Sequence, residues 1–177
     1  PYTLSTLGFR VYENYVVRNT YSNAASYFRA ILTGEDLVDA TAFDPAILRT
    51  NSYGSILQSL RSTYEIVEYQ PLHYINLHRL EAGGVGRERL QDYCGEVAKR
   101  YEPGQFFTLG SLRANGFSHP LDDLGFDDWF YSSLLAEDRE HFTYQRIGGT
   151  RLFRRGTERA MMGDMLTWLL NREQKMD

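Results

Sequence analysis

His141-Phe-Thr-Tyr-Gln-Arg-Ile-Gly-Gly-Thr-Arg-Leu-Phe-Arg-Arg-Gly156 places two alternating runs on either side of Gly148-Gly149. A two-residue hairpin loop needs positive φ at its centre, which glycine supplies without steric cost, so the stretch predicts a β-hairpin. Arg146, Arg151, Arg154 and Arg155 lie on it, with Arg159 just beyond, and Glu158 is the only acid from Phe142 to Arg159. The preceding Asp127–Asp138 predicts a helix with acidic ends and an aromatic middle, Trp129, Phe130 and Tyr131.

Working back along the chain, Ser22-Asn23 predicts an N-cap for a helix over 24–32 that Gly34 stops. A short strand is expected in 35–41. Asp44-Pro45 caps a short helix, and a further helix runs over 52–62 with Ile56 and Leu60 inward. Residues 64–69 and 73–80 alternate like strands, joined at Gln70-Pro71. A helix over 86–100, a strand at Phe106-Phe107-Thr108, a helix over 109–115, the 127–135 helix and the hairpin then follow. Residues 3–18 carry both a helical spacing (Leu4, Leu7, Val11, Tyr15) and an alternation (Phe9, Val11, Tyr15, Val17) that Glu13 interrupts; helix is the preferred reading. A terminal helix over 157–172 puts Met161, Met165, Trp168 and Leu169 on one face.

Helix, short strand, two helices and a hairpin therefore occur twice. This order resembles the winged-helix superfamily in tandem. The expected fold is α+β, with an N-terminal helical extension (1–22), a first unit (23–82), a second unit (83–156) and a C-terminal helix (157–177). The resemblance implies a third helix suited to the major groove and a wing suited to the backbone or minor groove. Many members of the superfamily bind proteins instead, so the fold alone does not assign a ligand. In the first unit Ser52, Tyr53, Ser55, Gln58 and Arg61 form an acid-free helix face, and Gln58 and Arg61 have the donor geometry to read adenine and guanine. In the second unit Arg146, Arg151, Arg154 and Arg155 are the candidate phosphate contacts, which would make binding salt-dependent. The acidic 127–138 helix does not suit a groove, and its aromatics are expected in the core.

The 177 residues suffice for one large or two small domains of roughly 100 residues each. With 42% hydrophobic and 14% aromatic residues a core can form. The net charge is −4 and the isoelectric point about 5.6, unlike a strongly basic nucleic-acid binder, so any polyanion contact must be local. All basic residues are arginine except Lys99 and Lys175. The lone Cys94 falls on the apolar face of Leu90, Tyr93 and Val97, which reads as core and suits a reducing, cytoplasmic setting. No apolar run approaches a membrane span of about 18 residues. A start at Pro1 rather than Met is expected of an internal piece of a longer protein.

Gly83-Gly84-Val85-Gly86 has Arg89 where a dinucleotide fingerprint needs its third glycine, and it reads as a joint. His73 and His78 fall on opposite faces of a predicted strand, too divergent for one metal. Asp122, Asp123, Asp127 and Asp128 lack calcium-loop spacing and read as helix caps. No catalytic triad has a local context, and neither cofactor nor metal is expected. The expectation is a non-enzymatic, DNA-binding module of a regulatory or DNA-processing protein, with a protein-interaction module as the alternative. The Met161–Met165–Trp168 face is a candidate homodimer seam.

Overall fold

The computed structural model describes residues 2–12 and 15–173, without the side chains of residues 2, 3, 15, 169 and 171–173, so Glu13 and the side chains of Tyr15 and Leu169 in the sequence reading lie outside the described residues. The chain divides into two compact units between Gly84 and Val85. Helices and small antiparallel sheets make up both, an α+β protein.

The first unit opens with helix α1 (Tyr2–Thr6) and a hairpin of β1 (Phe9–Tyr12) and β2 (Tyr15–Arg18), pairing Phe9 with Arg18. The helix preferred over 3–18 is thus corrected. Gly8 takes φ +83, outside helical space, and its carbonyl accepts from Asn19 N–H to close the hairpin. The alternation marks strand residues but not one strand: Phe9 and Val11 share a face with Val16 and Arg18, and Val17 lies on the other.

Helix α2 (Ala24–Thr33) starts with a reciprocal capping box, in which Asn23 Oδ1 accepts from Ser26 N–H and Ser26 Oγ accepts from Asn23 N–H. Its inward Phe28 and Leu32 join Val38, Tyr53, Leu60, Ile66 and Tyr74 in the unit's core. Strand β3 (Leu37–Asp39), helix α3 (Pro45–Leu48), helix α4 (Asn51–Ser62), strands β4 (Ile66–Gln70) and β5 (His73–Asn76) and helix α5 (Leu77–Ala82) follow. The sheet order is β3-β5-β4. The second of these strands ends at Asn76 rather than running to Leu80. Asn76 is buried, and its amide donates to the Glu35 carbonyl, which turns the chain into α5. His78 consequently lies on a helix, where it meets Asp36, while His73 on β5 meets Asp39.

The second unit repeats the order: α6 (Arg87–Lys99), β6 (Phe106–Phe107), α7 (Leu109–Ala114), a 3-10 turn (Pro120–Leu124), α8 (Asp128–Glu137), β7 (Phe142–Ile147) and β8 (Thr150–Arg155). The sheet order, β6-β8-β7, again places the last strand in the middle. Gly148 and Gly149 adopt φ +54 and +84, the double positive that a tight hairpin loop needs. The terminal helix α9 (Met162–Glu173) begins five residues later than the expected Thr157.

Register divides this sheet into two faces. Phe142 opposes Arg155, Tyr144 opposes Phe153 and Arg146 opposes Arg151 on one face; Thr143, Gln145, Ile147, Leu152 and Arg154 share the other. On the first face the rings of Phe107, Phe142 and Phe153 pack together, and β7 lies against α8. On the second, Phe106 and Leu152 receive Met165 and Trp168 of α9. The base of this hairpin is therefore packed on both faces, while Arg146 and the Gly148-Gly149 loop are exposed. Cys94 is buried, as the spacing predicts.

Candidate nucleic-acid interface

Each sequence-predicted contact has a defined place. On α4, Ser55 is exposed, Ser52 and Gln58 are half-buried, and Tyr53 is a core residue against Phe28 and Phe43. Burial, followed by the nearby Glu68 carboxylate, pushes the Tyr53 phenol up to about 12, partly opposed by Arg61. Arg61 points back toward the wing, 3.7 Å from Glu68, with its side chain mostly covered. Glu68 is itself buried and accepts from Leu72 N–H at the wing turn, where Leu72 holds φ +61. The outward surface of α4 is left to Asn51, Ser55, Ser59 and Ser62, polar and uncharged.

The second hairpin turns three of its four arginines toward the fold. Arg151 is only 4% exposed. Its guanidinium lies 4.5 Å from the Trp129 ring centroid and 5.9 Å from that of Tyr144, and donates to Ser132 Oγ at 2.7 Å and Ser133 Oγ at 3.1 Å. Such stacking and hydrogen bonding suit a weakly hydrated planar cation that has been taken out of water. Arg154 pairs with Glu158 and lies over the Phe106 ring. Arg155 donates to the Ala98 and His141 carbonyls, tying β8 to the end of α6 and the start of β7. Arg146 alone of the four is exposed, and it too leans over Trp129, at 5.4 Å.

Helix α8 has no free reading face. Phe130, Tyr131, Ser133, Leu134, Leu135 and Ala136 are all buried. Asp127 caps its first turn, and Asp128 pairs with Arg113, whose guanidinium also lies 5.1 Å from the Tyr131 ring. Asp127 is a cap, as the sequence suggests, whereas Asp128 serves as an ion-pair partner that the sequence reading did not foresee. Acids outnumber bases in each unit, so neither offers a net positive field to a duplex.

The sequence reading missed Trp129, Ser132 and Ser133 as partners of Arg151, and Glu68 as the partner of Arg61. A small cleft of about 140 Å³ lies beside the first group, lined by Leu109, Asp128, Trp129, Gly149, Thr150 and Arg151 among others. A wider groove of about 340 Å³ runs between α6 and the 117–120 segment, with Arg89, Asp92, Glu96, Arg100 and His119 among its walls. Among the described residues no group of three or more His, Cys, Asp or Glu side chains is placed to hold a metal, and no helix is long and apolar enough to cross a membrane.

No protein-family model matches the chain, and neither does any curated protein or solved structure.

Proposed function

We propose that the chain is a non-enzymatic docking module, two winged-helix-like units in tandem, whose partner is a protein subunit of a larger assembly. The element order and the first-third-second strand order in each unit support the winged-helix reading. The observation that carries the choice of partner is the inward use of the second wing: Arg151 is stacked and buried against α8, and Arg154 and Arg155 serve Glu158 and backbone carbonyls. Cations already committed to the fold cannot release counterions from a phosphate backbone without breaking those contacts.

Duplex binding keeps one supporting feature, the uncharged outward side of α4 with Ser55 and the half-buried Gln58. In a unit where acids outnumber bases such a helix has readers but little non-specific affinity to bring it to a site. The test is fluorescence anisotropy of a labelled random duplex at low and near-physiological salt, run beside nuclease-treated affinity purification from the native host. A flat titration at both salts, with a stoichiometric partner surviving nuclease, is the expected result. Micromolar, steeply salt-dependent duplex binding that drops in Arg146→Ala would overturn the reading.

A further inference from the structure

His119 performs an unusual task for a histidine. Its ring sits at the N-cap of the Pro120–Leu124 turn, and Nδ1 accepts a hydrogen bond from Leu121 N–H at 3.0 Å. A ring nitrogen that accepts carries no proton, so the hydrogen of the neutral imidazole is on Nε2, which faces Asp92 Oδ2 at 3.3 Å. The network thus assigns the tautomer. His119 is buried, edge-on to Tyr93 and stacked parallel to Phe117.

The turn that His119 caps is held by further polar contacts. Asp122 Oδ2 accepts from His119 N–H, and the buried Tyr131 hydroxyl donates to the Leu121 and Asp122 carbonyls. Arg113 approaches Asp122 from α7 at 3.7 Å. From α6, Asp92 faces the ring directly, and Arg89, Glu96 and Arg100 line the same groove. Tyr93, also on α6, is a neutral phenol whose ionisation burial pushes up. The charges around the ring are thus of both signs, and the Leu121 N–H is given to Nδ1.

We propose that His119 is a proton-operated clasp on the Pro120–Leu124 turn and so on the groove between that segment and α6. A second proton must go to Nδ1, because Nε2 already carries one. The Nδ1–H then points at the Leu121 N–H, and an acceptor becomes a donor. The Leu121 amide, buried with its residue, loses its partner, while Asp92 gains a cationic neighbour. Asp92 is solvent-exposed, so water screens that gain, whereas the lost cap lies in the interior. Proton uptake therefore loosens the turn, and with it the wall of the groove that carries Phe117, His119 and Pro120.

The test is residue-resolved amide exchange between pH 8 and pH 5, corrected for intrinsic exchange, together with imidazole ¹⁵N spectra of the wild-type chain. The expected spectra show an unprotonated Nδ1 at pH 8. The expected exchange shows Leu121 protection falling relative to Tyr131 between pH 8 and pH 5, by up to roughly tenfold per pH unit. In His119→Asn, whose carboxamide can cap without titrating, the relative protection becomes independent of pH. An Nδ1–H tautomer at pH 8 overturns the proposal without recourse to any variant. So does wild-type Leu121 protection that follows Tyr131 across the whole range.

Discussion

In the first unit the cation that ties the third helix to the wing sits on the helix, as Arg61, and its acceptor, Glu68, sits on the wing. In the second unit the cation sits on the wing, as Arg151, and it meets hydroxyls and rings on the helix. The topology is the same and the polarity of the contact is reversed. Either arrangement fixes the angle between helix and hairpin by spending one long planar cation across the gap. An arginine on a hairpin is then no more a sign of a ligand than an arginine on a helix. The two contacts differ in depth: Arg61 retains some access to water, whereas Arg151 is almost fully enclosed.

That difference ranks the consequences of breaking them. Arg151→Ala removes two hydrogen bonds, the indole stack and a buried aliphatic stem, and is expected to cost roughly 2–4 kcal/mol, read by chemical denaturation of the full chain. Arg61→Ala leaves a buried Glu68 without its cation and is expected to cost roughly 2 kcal/mol, with Tyr53 near-ultraviolet signals disturbed and those of Trp129 unchanged. If Arg61→Ala proved the more damaging, the ranking by depth would fail.

A pH titration sharpens the same contrast. Burial raises the Tyr53 and Tyr93 phenols above their ordinary value of 10.0, so the folded state holds those protons more tightly than the unfolded one. Their contribution to stability is full below the unfolded value and is lost as pH rises past it. Absorbance at alkaline pH should show these two phenols ionising together with unfolding, not as a separate earlier step. Arg146→Ala, at the exposed edge of the second wing, is expected to change stability by about 0.5 kcal/mol or less in the same denaturation assay. The smallest effect belongs to Asp39, whose carboxyl is held below its ordinary value, first by the Thr41 hydroxyl and then by the Thr41 amide. That local contribution is present above the unfolded value and fades as acid titrates the folded group. Thr41→Val should move the Asp39 titration upward in carboxyl NMR.

Much of the fold was legible because its signals are local. Ser22-Asn23, Asp44-Pro45 and Gly148-Gly149 each satisfy a backbone need within a few residues, and the caps at Asn23 and Asp44 and the glycine turn fell where the sequence placed them. The errors came where a distant group decided. Asn76 ends its strand through the Glu35 carbonyl some forty residues away, and no alternation pattern registers such a bond. At the opening, Leu4, Leu7 and Val11 suggest a helix, but Gly8 cannot be held in one against the Asn19 bond that closes the hairpin.

The candidate interface was legible in a different sense. Once the Gly148-Gly149 loop sets the register, Arg151 must share a face with Phe142 and Phe153, the apolar face. That inference needs only period-two alternation, but the exposed Arg146 shares the face, so alternation places Arg151 beside the apolar rings without deciding its depth. What no pattern could show is what receives it there. Ser132 and Ser133 look like ordinary polar interruptions in an apolar helix until the wing is laid against them.

The central claim is that Arg151 is a structural tie between wing and helix. A double-mutant cycle tests it most directly, combining Arg151→Ala with Trp129→Leu in chemical denaturation of the full chain. Coupling of about 1 kcal/mol or more is predicted, because each substitution removes the other's partner. Additive losses, with the coupling near zero, would show that the stack does not bind the two elements together and would return Arg151 to the list of candidate ligand contacts.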